Sequence, residues 1–179
     1  TLSSSSAASD VYKRQLSSAL SATNAQAGPP PQGVEAFLAA AGPLIDLRTP
    51  AEFAQGHIPS AINLPLFDNH ERAEIGTLYK QEGRQAAVLR GLALVGPRME
   101  SIGTALLAAL AEHQHRTASS AAAHPPIAPC LRLHCWRGGM RSGSVAWLAR
   151  QLDLPVLLLE GGYKAYRRWV LELFERPWP

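Results

Sequence analysis

The sequence has little cysteine and no long apolar run, and each shortage excludes a class of protein. Two cysteines among 179 residues are too few, and too close together, for the disulfide framework of a secreted domain. No stretch reaches the run of about 18 apolar residues that spans a bilayer, and no signal-peptide pattern is present. We therefore expect a cytoplasmic protein without membrane contact.

The sequence also lacks a large net charge of either sign. Lys and Arg number 17 and Asp and Glu number 14, which leaves a formal net charge of +3. So small a surplus permits contact with RNA, but it is common in proteins that never bind nucleic acid. Charge alone therefore selects no partner.

The chain divides by composition into a tail and one domain. Residues 1–33 are rich in Ser, Ala, Gln, Gly and Pro, and residues 5–15 resemble translated sequencing-adaptor sequence. We predict a disordered or non-native tail over 1–33 and one domain over 34–176. Within that domain, the Ser, Ala, His and Pro content of 113–129 predicts a loop insertion.

Short apolar segments alternate with helical patterns across the domain. Strands are predicted at 43–47, 61–64, 131–134 and 156–159, and helical segments at 71–111 with a break near Gly96-Pro97, at 142–151 and at 163–174. This alternation indicates an α/β sandwich with a mainly parallel sheet. Sites in such folds lie at the carboxyl ends of the strands, which is where Cys135 falls.

The segment around Cys135 carries the strongest chemical signal. A glycine-containing loop between a strand and a helix can turn its backbone N–H groups inward, and the helix N-terminus adds positive partial charge. We predict an anion-binding loop around a reactive Cys135 thiolate, formed by Trp136, Arg137, Gly138, Gly139, Met140, Arg141 and Ser142. The guanidiniums of Arg137 and Arg141 are expected to stabilise the thiolate.

Two other interpretations of this segment stay open. A lone cysteine at a strand end is often an inert buried thiol. The Cys-x5-Arg spacing also fits a cysteine phosphatase or arsenate reductase, in which the arginine holds the oxyanion. Cys130 follows a proline at a loop edge and is interpreted as incidental, with a resolving-thiol role as a minor alternative.

Segments 46–53 and 56–65, which read DLRTPAEF and GHIPSAINLP, closely resemble the N-terminal signature of rhodanese-like domains. This resemblance implies a mainly parallel five-stranded sheet flanked by helices on both faces. Asp46, Arg48 and His57 lie in these segments. We expect them to support the site rather than to react, because turn residues and partnered charges usually serve architecture.

Three further segments, 67–81, 135–142 and 160–167, make the chain resemble the tRNA 2-selenouridine synthase family. The resemblance implies that Cys135 serves the replacement of sulfur by selenium in wobble 2-thiouridine of tRNA, through a geranylated intermediate. Selenophosphate and geranyl diphosphate are the implied co-substrates, and no cofactor or metal is expected in this domain. It also implies a role for Gly91 in the geranyl step.

Members of that family continue into a C-terminal P-loop domain, and no Gly-x4-Gly-Lys-Ser/Thr stretch occurs in this chain. We therefore expect a partial enzyme. Two alternatives are a free-standing rhodanese sulfurtransferase and a non-catalytic module that docks tRNA. The second would use the basic residues Arg72, Lys80, Arg84, Arg90, Lys164, Arg167 and Arg168.

Overall fold

A computed structural model describes residues 29–118 and 128–175. The strands are β1 Leu44–Asp46, β2 Ile62–Asn63, β3 Leu131–His134 and β4 Val156–Leu158. The helices are α1 Val34–Ala39, α2 Pro50–Ala54, α3 Asn69–Gln81, α4 Arg84–Val95, α5 Met99–Ala118, α6 Met140–Gln151 and α7 Gly162–Glu175. The described part of the chain contains no helix with both the length and the apolar character needed to cross a membrane.

The four strands form one parallel sheet in the order β2-β1-β3-β4. The prediction of a parallel α/β sheet is confirmed, but the count of five strands is wrong. A single bridge between Gln32 and Leu159 occupies the place of a fifth strand beyond β4. The three prolines of 29–31 have no N–H to donate, and α1 begins at Val34, so pairing cannot extend in either direction.

Apolar side chains cover both faces of the sheet. On one face, Leu131 and Leu133 of β3 pack in a cluster with Leu106 of α5 and Ala146 of α6. On the other face, a smaller cluster joins Phe37 of α1 to Leu44, Ile58 and Leu159, with Tyr163 and Tyr166 of α7 against it. Helices therefore flank both faces, as predicted.

The helical region predicted over 71–111 differs from the structure at two places. Besides the predicted break, where Gly96–Arg98 forms a single 3-10 turn, the chain also breaks at Gly83, which has φ +89°. α5 continues to Ala118, six residues into the segment predicted as a loop from 113. Alanine, glutamine and arginine are good helix formers, and this outweighed the polar composition of that stretch. The positions from 119 to 127 lie outside the described residues.

Candidate active site

The sheet brings two loops together at one edge. β1 and β3 are parallel neighbours, and Asp46 at the end of β1 pairs in register with His134 at the end of β3. The segments that follow β1 and β3 therefore leave the sheet at the same edge. The first leads to Arg48 and the second to Cys135. This adjacency places the N-terminal signature beside the predicted anion-binding loop.

The carbonyls at the start of the Cys135 loop are held from outside by α7. The N–H of Tyr163 donates to the carbonyl of Cys135 at 2.8 Å, and the N–H of Lys164 donates to that of Trp136 at 3.0 Å. These are amides of the first turn of α7, which have no partner within their own helix. Because α7 binds the outward-facing carbonyls, the loop can present amides on its inner side.

Two glycines allow α7 and the loop to approach this closely. Gly138 has φ +66°, and a Cβ there would lie 2.7 Å from the carbonyl oxygen of Leu159. Gly162 has φ +60°, and a Cβ there would lie 2.3 Å from the carbonyl oxygen of Cys135. Any side chain at either position would displace backbone atoms.

The Cys135 sulfur lies at the N-terminus of α6. Gly139, the N-cap residue, supplies no side-chain cap, and the backbone N–H groups of Ser142 and Arg137 point toward the sulfur instead. Burial acts to raise the pKa of this thiol. The Ser142 hydroxyl, the Ser142 and Arg137 amides and the charge of Arg141 outweigh burial, so the pKa lies below its ordinary value.

The Ser142 hydroxyl has two possible acceptors for its one hydrogen. Its oxygen lies 3.3 Å from the sulfur of Cys135 and 3.1 Å from the carbonyl oxygen of Gly139. An ionised thiolate can accept this hydrogen, whereas a neutral thiol can donate to the hydroxyl while the hydroxyl bonds to Gly139. Ser142 can therefore adjust to both protonation states without moving its backbone.

The two arginines of the loop occupy different settings. Arg141 forms an ion pair with Glu52 of α2, with Nη1 2.9 Å from Oε2 and Nη2 3.4 Å from Oε1. Its positive charge still lowers the pKa of the Cys135 thiol. The side chain of Arg137 is exposed, and this residue acts on the sulfur through its backbone N–H. The prediction that the Arg137 guanidinium stabilises the thiolate is thus replaced by a role for its amide.

A buried ion pair supports the floor of the site. Arg48 donates through Nε and Nη2 to the carboxylate of Asp46, at 3.0 and 2.6 Å, and through Nη2 to the carbonyl of Gly56 at 2.8 Å. Its guanidinium also lies 3.7 Å from the ring centroid of Tyr163. Asp46 and Arg48 therefore connect β1 to the loop before β2 and to α7. The supporting role expected for them stays a prediction.

His134 lies directly before Cys135 and is fully buried. Among the described residues, neither of its ring nitrogens makes a hydrogen bond of standard geometry, although Nε2 lies 3.7 Å from a carboxylate oxygen of Asp46 and the backbone of Cys135 also interacts with the ring. Burial lowers the pKa of His134 to about 4, against the attraction of Asp46. The ring is therefore neutral near pH 7 and adds no positive charge next to Cys135.

For two other predicted site residues, His57 and Gly91, the nearest contacts lie outside the Cys135 loop. The exposed ring of His57 stacks on Phe53 at 3.9 Å, and its Nδ1 lies 3.1 Å from the carbonyl oxygen of Phe53. Gly91 lies within α4, where a Cβ would be 3.4 Å from Phe67 and 3.8 Å from Ile75. Neither neighbour of Gly91 belongs to the Cys135 loop. Gly91 lies where α4 packs closely against α3 and the residues just before it.

Cys130 and Cys135 lie at opposite ends of β3, five residues apart. At about 3.3 Å per residue their Cα atoms are about 16 Å apart, well beyond the limit of about 7 Å for a disulfide. Cys130 contacts the carbonyl of Ala41 with its sulfur at 3.6 Å, and burial raises the pKa of its thiol. The geometry does not support a resolving role for Cys130 within one chain.

Sequence reasoning missed Glu52 and underestimated Gly162. The signal for Glu52 was present, because Thr49-Pro50-Ala51-Glu52 is a capping box: Thr49 Oγ1 accepts from the Glu52 N–H, and Glu52 accepts from the Thr49 N–H. A capping box predicts a helix start but not the ion pair with Arg141. The close approach of Gly162 to Cys135 is a tertiary contact, so the local sequence around Gly162 gives no sign of it.

Comparisons with known proteins agree with this architecture. A family model described as a rhodanese-like domain matches residues 31–92. The crystal structure of the N-terminal domain of a protein from Clostridium difficile 630, described as an ATP/GTP-binding protein, is 36% identical with a TM-score of 0.66. The alignment covers 79% of this chain and 99% of that domain. The chain therefore has a rhodanese-like α/β fold, with the family match itself lying in residues 31–92.

Comparison with curated proteins identifies more specific relatives of this chain. The tRNA 2-selenouridine synthase of Proteus mirabilis is 42% identical over 143 residues, which cover 79% of this chain and 35% of that protein. The synthase of Bordetella bronchiseptica is 40% identical over 135 residues, covering 75% of this chain and 33% of that protein. The resemblance predicted from the motifs is confirmed, and the chain spans about a third of the length of these relatives.

Proposed function

We propose that this domain provides the Cys135 nucleophile for replacement of sulfur by selenium in wobble 2-thiouridine of tRNA. The observation that carries the proposal is the environment of the Cys135 sulfur, where two amides, a hydroxyl and a guanidinium lower the thiol pKa despite burial. The resemblance to tRNA 2-selenouridine synthases supplies the reaction class. A P-loop domain, as in that family, would complete the enzyme.

Electron counting favours one target for the thiolate. Selenium in selenophosphate is already at the selenide level, so a sulfur–selenium bond between it and Cys135 would require an oxidant. Substitution at C2 of an S-geranylated 2-thiouridine requires none. Geranyl diphosphate would supply that geranyl group with loss of diphosphate, and Gly91 is the residue that the family resemblance connects to this step.

The proposed exchange then proceeds by two substitutions at C2. The Cys135 sulfur forms a bond to C2 and geranylthiolate leaves, taking a proton from solvent. Selenium of selenophosphate next attacks C2, and the Cys135 thiolate leaves with the electron pair of the broken carbon–sulfur bond. Water cleaves the selenium–phosphorus bond, which gives 2-selenouridine and phosphate. The loop amides stabilise both the leaving thiolate and the incoming anion.

The phosphatase alternative has less support in this geometry. A cysteine phosphatase needs the guanidinium of its Cys-x5-Arg motif to hold the equatorial oxygens of the transferred group. Both terminal nitrogens of Arg141 face the Glu52 carboxylate instead. The docking alternative uses basic residues that include Lys164, Arg167 and Arg168 on α7, and such contacts can accompany the transferase function.

A covalent adduct tests the proposal directly. The protein is incubated with an RNA stem-loop carrying S-geranyl-2-thiouridine, and the products are analysed by mass spectrometry. We expect release of geranylthiol and an RNA adduct on Cys135 in the wild type and in Cys130→Ser, and neither in Cys135→Ser. Equal geranylthiol release by Cys135→Ser would show that the thiolate is not the nucleophile.

A further inference from the structure

Two glutamates of this chain have the same local role. Glu52 closes the capping box of α2 with Thr49, and Glu71 closes the capping box of α3 with Asp68. Each also accepts a hydrogen bond of 2.9 Å from an arginine distant in sequence, Arg141 for Glu52 and Arg98 for Glu71. Both glutamates cap a helix, but only the arginine bound by Glu52 belongs to the Cys135 loop. Helix capping by itself therefore does not explain that pairing.

The position of Arg141 gives its ion pair a chemical consequence. Arg141 is the sixth residue after Cys135 and the second of α6, close enough for its charge to act on the sulfur. A free guanidinium there could direct two N–H groups at an oxyanion bound in the loop. Glu52 instead binds both terminal nitrogens and offsets part of the positive charge, with the side chains of Arg141 and Glu52 only 13% and 25% exposed.

The geometry points to Glu52 as a specificity-determining positioning residue that holds Arg141 away from oxyanions bound in the Cys135 loop. The Oε2 atom that accepts from Arg141 Nη1 also accepts from the Thr49 N–H at 2.9 Å, which holds the carboxylate in place. Arg72 of α3 adds a second positive charge near Glu52, and the pKa of this carboxyl lies below its ordinary value because these interactions outweigh burial.

This inference concerns the specificity of the site in the proposed function and deepens that function. With Arg141 held by Glu52, the loop binds an anion mainly through backbone amides, which suits a group that must enter and leave. With Arg141 free, the same loop would hold tetrahedral oxyanions more tightly. Phosphate is abundant in cells, so weak binding of phosphate keeps the sulfur available for its substrate.

The test measures protection of Cys135 from iodoacetamide by inorganic phosphate. We expect Glu52→Gln to lower the phosphate concentration for half-protection by about tenfold, in line with a gained charge-assisted hydrogen bond. Gln can still accept from the Thr49 N–H, so the helix start is kept. Glu71→Gln is the matched control, since it alters the other capping box and its arginine, and should leave protection unchanged.

Tighter phosphate binding in Glu52→Gln could come from release of the Arg141 guanidinium or simply from loss of a negative charge. The Arg141→Met background distinguishes these two explanations. If Arg141 is responsible, Glu52→Gln should tighten phosphate binding in the presence of Arg141 and have no effect in the Arg141→Met background. An unchanged or weaker phosphate affinity in Glu52→Gln would overturn the inference, as would a gain that persists without Arg141. Failure of Cys135 to react with iodoacetamide in the wild type would count against the proposed function instead.

Discussion

The two ends of β3 carry the same functional group in opposite electrostatic environments. Cys130 before the strand is partly buried and Cys135 after it is buried, and burial is the largest influence on the pKa of each thiol. The pKa of Cys130 is raised, whereas that of Cys135 is lowered. Burial therefore does not predict reactivity here; the direction of nearby amides does.

The difference follows from the polarity of a parallel sheet. At the amino end of β3, the Cys130 sulfur meets the carbonyl oxygen of Ala41, which cannot stabilise a negative charge. At the carboxyl end, the chain turns into the N-terminus of α6, where amides are available. Of the three predictions below, the first two remove or reduce this difference and the third measures it, starting with the largest expected effect.

Gly162→Ala should make Cys135 behave like Cys130. A methyl group at this position would meet the Cys135 carbonyl oxygen at 2.3 Å, and φ is +60°, so the support of the loop by α7 must shift. We expect alkylation of Cys135 at neutral pH to slow by about tenfold or more, with a loss of about 2 kcal/mol in the free energy of unfolding. Mass-mapped alkylation and urea unfolding measure the two effects.

Gly143→Ala is the control for that substitution. Gly143 lies inside α6, and a Cβ there would have nothing within 4 Å. The change should leave the alkylation rate unchanged and stabilise the protein by up to about 1 kcal/mol. Equal alkylation of Gly162→Ala and wild type would show that contact with α7 does not shape the loop.

Ser142→Ala should reduce the difference between the two cysteines without removing it. The thiolate would lose one hydroxyl donor but keep the Ser142 and Arg137 amides and the charge of Arg141. We expect the pKa of Cys135 to rise and its alkylation at neutral pH to slow by roughly fivefold. The full rate should return at high pH, so a rate profile against pH distinguishes this effect from blocked access.

Ser144→Ala provides the comparison on the same helix. The Ser144 hydroxyl is exposed and donates to the carbonyl of Arg141 at 3.0 Å. Its removal should leave the midpoint of the alkylation profile in place. A Ser142→Ala profile that coincides with that of Ser144→Ala would contradict a role for the Ser142 hydroxyl.

The smallest expected effect is on stability as a function of pH. Because the folded pKa of Cys135 is lowered, its ionised form contributes stability above the ordinary thiol value of 9.0, and this is lost as pH falls through the folded value. The cost of Cys135→Ser should therefore grow as the pH rises from the acidic range toward the ordinary thiol value of 9.0. Urea unfolding of wild type and variant across this range measures it.

Cys130→Ser should show the opposite trend. A raised folded pKa means that the contribution of Cys130 is present below 9.0 and is lost as pH rises through the folded value. The cost of this substitution should thus shrink at alkaline pH. Parallel trends for the two variants would mean that the two thiols do not differ in the way described above.

The sequence predicted the strands and the position of the Cys135 loop between a strand and a helix, because both depend on local patterns. Apolar runs bounded by Gly and Pro mark the strands, and β3 has the predicted bounds Leu131–His134. The Cys135 loop was recognisable from its glycines, its arginines and the helix that follows. These signals lie within about ten residues of one another, as secondary-structure and turn chemistry require.

Features that depend on distant contacts were not predictable in this way. The pairing of Glu52 with Arg141 joins residues 89 apart, and the contact of Gly162 with Cys135 depends on how α7 returns to the sheet. Nothing in the local sequence of Arg137 or Arg141 shows that one guanidinium is exposed and the other is paired. The prediction of a fifth strand was wrong for a local reason, because the prolines before Gln32 limit its pairing with the sheet.

The sulfur of Cys135 also completes the first turn of α6, which has no side-chain cap of its own. A thiolate is a good acceptor for those amides, whereas a sulfur bonded to carbon is a poor one. Each covalent intermediate on Cys135 would therefore loosen the start of α6, and release of product would tighten it again. Amide hydrogen exchange at Arg137 and Ser142 could then report the occupancy of the sulfur without a labelled substrate.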